Sequence, residues 1–219
     1  MTPKGAYIKQ LLESGEREIY LSEPQDIFMT LDEYREKIKN CQKCSLGKTR
    51  TNFVFGDGDP HAKLMLIGEA PGRDEDLQGI PFVGRAGKLL DKILSAVNFT
   101  REEVYIANIL KCRPPNNRDP LPDEAEKCMP YLDRQIELIK PQIICCLGRI
   151  AAQFLLDTKA PLGKMRENDY SYKGIRVFVT YHPAALLRFQ QYKRATWEDV
   201  KRLRRYYLKI NGLPDEKFD

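Results

Sequence analysis

Residues 63–72 read KLMLIGEAPG: an unbroken apolar run from Leu64 to Ile67 passes directly into a turn of glycine and proline. A strand covered on both faces of its sheet is apolar throughout, and a glycine turn at its end is where parallel α/β proteins bind ligands. Three more runs have the same character: VYIANIL at 104–110, QIICCLG at 142–148 and RVFVTYH at 176–182. Helical periodicity fills the gaps. In AGKLLDKILSAVN (86–98) positions 89, 90, 93, 94 and 97 share a face, and in PDEAEKCMPYLDRQIELIKP (122–141) positions 125, 129, 132, 136 and 139 do. The alternation predicts an α/β fold, a three-layer α/β/α sandwich on a four-stranded parallel sheet with right-handed crossovers. The carboxyl ends of its strands would bring 68–72, 108–112, 147–149 and 181–183 around one crevice.

The turn continues as GEAPGRDEDLQGIPFVG (68–84), with Glu69, Asp74, Glu75 and Asp76. So many carboxylates would repel a phosphate, and no lysine of a GxxxxGK[ST] loop offsets them. A bare phosphate cradle is therefore disfavoured, and what the turn binds is left open by these residues alone.

At 219 residues the chain suits one domain. Residues 1–30 hold a helix candidate, KGAYIKQLLESG (4–15), and no assignable motif. They read as an N-terminal extension, with 31–211 as the domain and 212–219 as a C-terminal tail. No apolar stretch reaches the ~18 residues of a membrane span, and residues 1–18 lack the apolar core of a secretory signal. A cytoplasmic monomer that does not enter membranes is expected. Net charge is +5, and residues 186–209 carry eight basic side chains against Glu198 and Asp199, a patch compatible with a polyanion or with a solvated helix face.

Six cysteines in a chain expected inside the cell suggest metal or redox chemistry rather than disulfides. LDEYREKIKNCQKC (31–44) reads as a helix delivering the pair Cys41 and Cys44 into a loop. Cys112 follows a strand, and Cys128 sits within about 60° of the apolar stripe of its helix at 100° per residue. These four could ligate zinc or an iron–sulfur cluster, a choice that sequence chemistry leaves open. Cys145 and Cys146 lie mid-strand on opposite faces and read as core.

GEAPGRDED, GIPFVGRAGKLLD, NILKCRPPNNRDP and TYHPAALLR, in this order and together with the four cysteines, resemble family 4 uracil-DNA glycosylases, from about residue 34 to 207. The resemblance implies a monofunctional DNA repair hydrolase with a [4Fe-4S] cluster on Cys41, Cys44, Cys112 and Cys128, zinc being the alternative occupant. It would act on uracil-containing DNA, single- or double-stranded. The base must leave the stack to be reached, so a flipped nucleotide enters a tight pocket.

The same resemblance implies the site. Phe82 would stack on the uracil, Asn108 would pair with O4 and N3, and His182 would donate to O2 as charge builds on the departing base. Where better-studied uracil glycosylases carry GQDPYH, this chain has Ala70 in place of the aspartate and Gly72 in place of the tyrosine that blocks thymine. Glu69, Glu75 and Asn117 are then the candidates for orienting the water, and Glu75 could fill the space over Gly72. Leu186 or Leu187 would enter the duplex as a wedge and Arg188 would hold a phosphate. Tyr170, in KMRENDYSYKG (164–174), could flank DNA, although alternate tyrosines also fit an edge hairpin. Two rival readings are a non-catalytic nucleic-acid-binding protein with a four-cysteine metal site and a metal-dependent phosphoesterase using the acidic turn.

Overall fold

The computed structural model describes residues 29–218. The helix candidate at 4–15 and nearly all of the proposed extension lie outside them. Helix α1 (Leu31–Ile38) begins with Asp32 and Glu33 and ends with basic residues, as its dipole favours, and it buries Tyr34 and Ile38. A loop with Cys41 and Cys44 follows. Then come β1 (Asp57–Gly58), β2 (Leu64–Gly68), α2 (Arg73–Gln78), α3 (Arg85–Ala96), β3 (Tyr105–Asn108) and α4 (Pro122–Ile139). The remainder is β4 (Ile143–Leu147), α5 (Arg149–Leu155), α6 (Leu162–Glu167), β5 (Tyr170–Tyr172), β6 (Ile175–Thr180), α7 (Pro183–Arg188) and α8 (Tyr192–Ile210).

The strands lie in the order β1-β3-β2-β4-β6-β5. The four inner strands run parallel, with Gly68 opposite Asn108 and Leu147 opposite Thr180. The sheet is thus six-stranded and mixed, not four-stranded, because two short antiparallel edges extend the expected parallel core. β1 is too short to show a period. β5 is the first arm of a hairpin whose two-residue turn, Lys173–Gly174, has positive φ at both positions (49° and 82°). That is the turn geometry that follows strand twist, and glycine supplies its second position without strain.

Both faces of the sheet are covered, as the continuous apolar runs require. Leu64, Leu66, Ile106, Cys145 and Phe178 pack with Leu90 and Leu94 of α3 and Val200 and Leu203 of α8. Met65, Ile67, Ile144 and Cys146, which alternate with them, are also buried. The long crossover α4 has Pro122 at its first position and Glu124 accepting the Leu121 N–H at 2.9 Å. It ends at Lys140 in the left-handed region, whose N–H donates to Ile136 O at 2.8 Å.

From β2 the chain moves to β3 on one side and then returns past β2 to β4 on the other. The strand order therefore reverses between β2 and β4, and the crevice beyond their carboxyl ends is where such sheets bind ligands.

Candidate active site

A cleft enclosing about 1370 Å³ of empty space, its open mouth included, lies at that reversal. Glu69, Ala70, Gly72 and Glu75 line it from the turn after β2, and Phe82 from the loop before α3. Asn108 contributes from the end of β3, Asn117 from the proline loop, Arg149 from the start of α5, and His182 and Arg188 from the segment after β6. Residues far apart in the chain meet here because the four parallel strands deliver their carboxyl ends to one side.

The floor is built on Gly68. A Cβ there would stand 2.4 Å from Asn108 Oδ1 and 2.6 Å from Phe82 Cζ, so a bare backbone lets the amide and the ring come together. Asn108 is 2% exposed and its Oδ1 is buried without a hydrogen-bond partner. Such an orphan is costly unless something supplies a donor. Phe82 is buried with φ of 54°, a strained conformation held by the Arg101 guanidinium, which donates to the carbonyls of Pro81 and Phe82. Sequence reading missed Arg101, since nothing in its own neighbourhood marks it.

His182 caps α7. Its Nδ1 accepts the Ala184 N–H at 3.1 Å, leaving Nε2 as the protonated nitrogen of a neutral ring. Burial first, and then the nearby Arg188 charge, push its pKa down to about 4, so the ring is neutral in neutral solution. The imidazole and Phe82 ring centroids are 5.5 Å apart at 33°. Behind this segment, Thr180 Oγ1 donates to Asp199 at 2.7 Å, Arg166 donates to the same carboxylate at 2.7 Å, and the Arg166 guanidinium covers the Tyr181 ring at 4.7 Å. Tyr181 stacks on Tyr192 at 4.2 Å, which fixes the strand end that presents His182.

The three water-orienting candidates differ. Glu69 is raised to about 7, chiefly by burial and further by the Asp119 charge, with Arg149 opposing. Glu75 is occupied as a strut: its Oε1 accepts the N–H groups of Val83 and Gly84 at 3.0 and 2.9 Å. Its Oε2 stands 2.7 Å from where a Gly72 Cβ would be, so the carboxylate occupies the space over Gly72. Asn117 has φ of 53° and its Oδ1 accepts from Arg113 Nε at 2.8 Å.

The wedge candidates separate as well. Leu186 is 2% exposed and packs inward, whereas Leu187 is 43% exposed, so of the two only Leu187 stands free to enter a duplex. Phe189 at the rim of the cleft, 48% exposed, is an aromatic the sequence reading passed over although it directly follows Arg188. Tyr170 sits in the edge strand opposite Val177 and does not line the cleft; its segment is a hairpin arm rather than a loop, as the alternating tyrosines allowed. Much of the basic stretch is used internally. Arg204 pairs with Glu216 at 2.7 Å, Lys201 with Glu198 at 3.0 Å, and Arg202 donates to Arg166 O at 2.6 Å. Arg188, Lys193 and Arg194 remain exposed.

Cys41, Cys44, Cys112 and Cys128 line one pocket, and none of them is in a disulfide. Arg50 Nη1 donates to Cys112 Sγ at 3.1 Å, Tyr131 OH to Cys41 Sγ at 3.1 Å and Lys111 N to Cys128 Sγ at 3.4 Å. Donors of this kind are what a thiolate ligand gathers around it. Among the described residues no three Cys, His, Asp or Glu side chains form a group that could hold a metal ion as they stand.

The uracil DNA glycosylase superfamily matches residues 55–201. A type-4 uracil-DNA glycosylase of Archaeoglobus fulgidus is 48% identical over 182 residues, covering 80% of this chain and 92% of that protein. The chain belongs to the type-4 uracil-DNA glycosylases. Others of the type are similar too, from Sulfurisphaera tokodaii (44% identical, 80% of this chain and 84% of the relative) and Thermotoga maritima (42%, 80% and 93%). In this type-4 family member the matched segment contains all the residues that line the cleft. Among the described residues no helix is long and apolar enough to cross a membrane.

Proposed function

We propose that the protein is a uracil-DNA glycosylase of DNA repair, which takes deoxyuridine out of the stack and hydrolyses its N-glycosidic bond. The observation that carries this reading is the orphaned Asn108 Oδ1 beside Phe82. Uracil N3–H would supply the missing donor, and the amide NH₂ would donate to O4. Cytosine presents the reverse pattern at both atoms and would leave buried polar groups unpaired, which discriminates more strongly than lost contact. Two stacked layers on either side of a base need about 7 Å, more than the 5.5 Å between the Phe82 and His182 rings, so the base stacks on Phe82 with His182 at its edge.

In the reaction the C1′–N1 bond breaks, water oxygen bonds to C1′, and the electron pair leaves with uracil. Charge gathers on O2, where the neutral His182 Nε2–H donates. A preformed donor in a dry pocket lowers the barrier most where charge develops, and removing one costs about 10²–10³ in kcat. Glu69, ionised above about pH 7, orients the water and takes its proton, with Asn117 beside it. The Glu75 carboxylate over Gly72 stands where thymine's methyl group would have to go. Leu187 fills the gap left by the base, and Arg188 holds a phosphate.

The four cysteines would hold a [4Fe-4S] cluster, which when bound ties the Cys41–Cys44 loop, the end of β3 and α4 together. Zinc is the alternative occupant, since it too takes four thiolates. We expect a monomer acting where cellular DNA is, on uracil in single or double strands.

Uracil-containing oligonucleotides treated with the protein in chelator and then with hot alkali test the activity. Cleavage at uracil supports it; intact strands sink it in favour of a non-catalytic binding module. Iron and sulfide analysis, with broad visible absorption, tests the cluster, and stoichiometric colourless zinc would contradict it.

A further inference from the structure

Lys111 is fully buried, the largest side chain of that kind among the described residues, and none of the chemistry above uses it. Lysine is almost never fully buried unless its charge is compensated. Its ammonium donates to one neutral group, the backbone carbonyl of Asn108, at 2.9 Å. One carbonyl does not offset a buried cation. Its chain neighbour Cys112 is one of the four cysteines that line the pocket. The backbone N–H of Lys111 also donates to Cys128 Sγ, at 3.4 Å.

A metal centre held by four thiolates stays net negative. Arg50 answers that charge on one flank through Cys112, while Lys43 and Lys127 stand around the pocket's rim. Toward the cleft the cation is Lys111, three residues after the amide that meets the base.

We propose that Lys111 is a positioning residue linking the four-cysteine centre to base recognition: its ammonium balances the thiolates at one end and holds the Asn108 backbone, hence its amide, at the other. This rests on the reading of both sites given above. Loss of the centre would strand a buried cation, and relief of that cation would shift Asn108 out of register with uracil. The centre then serves catalysis through placement, without contact with the substrate.

The test compares the metal-loaded wild type with Lys111→Met, which keeps the length and removes the charge, and Lys111→Arg, which keeps the charge. Metal release to a chelating dye, kcat and KM on uracil-containing single strands are measured for each. Lys111→Met should release metal about tenfold faster and lose about tenfold in kcat with KM within twofold, the size of effect typical of groups just outside a metal's ligands. Stripping the metal should lower wild-type kcat to the level of the stripped Met variant, because the two losses share one cause and do not multiply. Lys111→Arg should hold its metal within twofold of wild type while kcat falls. If the Met variant does not fold, the Arg variant decides: a tenfold faster release overturns the proposal. A loaded wild type whose Met variant keeps both release rate and kcat refutes the link alone. A wild type isolated without metal refutes the four-cysteine reading and the link with it.

Discussion

The Nδ1 of His182 accepts the backbone N–H of Ala184 at 3.1 Å, so the geometry of a helix cap decides which imidazole nitrogen faces the cleft with a proton. Pro183 makes this local: it cannot itself donate, and it holds His182 extended.

The first prediction concerns that tautomer. Ring-nitrogen NMR at pH 6 should show a neutral His182 protonated on Nε2, and His182→Ala should lose about 10²–10³ in kcat with little change in DNA affinity. The sign for stability follows from the lowered pKa. Between 6.5 and about 4 the unfolded ring binds a proton that the folded ring refuses, so stability falls as pH drops through that window. His182→Gln should flatten that acid slope in thermal unfolding, and an unchanged slope would contradict the neutral assignment.

The parallel core, the crevice and the convergence of the four cysteines were legible because each rests on a strong local signal: buried strands without alternation, glycine turns, a CxxC pair. The edges were not. β1 spans two residues, and β5 lies within a charged segment whose hairpin is set by backbone at Lys173 and Gly174. Roles within the site were legible only in part. Leu186 and Leu187 are adjacent and chemically identical, and only the packing of α7 separates a core side chain from an exposed one. Arg101 donates to the carbonyls of Pro81 and Phe82 and Lys111 to that of Asn108, and a pattern of side-chain types does not encode bonds to backbone.

Asn108→Asp tests base reading. The carboxylate can accept from cytosine N4 but cannot donate to uracil O4 when ionised. Excision of uracil should fall at least 100-fold, with cytosine excision becoming detectable in a panel of single-base oligonucleotides. Equal loss on every base with no gain on cytosine would place recognition elsewhere.

Glu69 supplies the pH dependence of turnover. With its pKa near 7, the single-turnover rate should rise through about pH 7 and level above it. Glu69→Gln should be slower by about 10²–10⁴ and flat across the same range. Stability moves the other way: the folded carboxyl keeps its proton from 4.5 up to about 7 while the unfolded one has lost it, so the wild type loses stability as pH rises through that interval. The Gln variant should therefore melt higher than wild type at pH 8, and a lower melting temperature there would show that the charged carboxylate is stabilised after all.

The last prediction uses two neighbours that differ in burial. Leu187, 43% exposed, touches little in the free protein, so Leu187→Ala should leave thermal stability within about 0.5 kcal/mol. It should cost about tenfold in the rate on double-stranded substrate and little on single strands, because only a duplex has a stack to be propped open. Leu186, 2% exposed, carries the opposite signature. Leu186→Ala opens a cavity worth about 2–5 kcal/mol, seen as a lower denaturant midpoint. Below that midpoint its ratio of double- to single-strand rates should match wild type, since its side chain never meets the DNA. If Leu186→Ala were the variant to lose the duplex preference, α7 would have to rotate on binding, and the wedge would be the buried leucine.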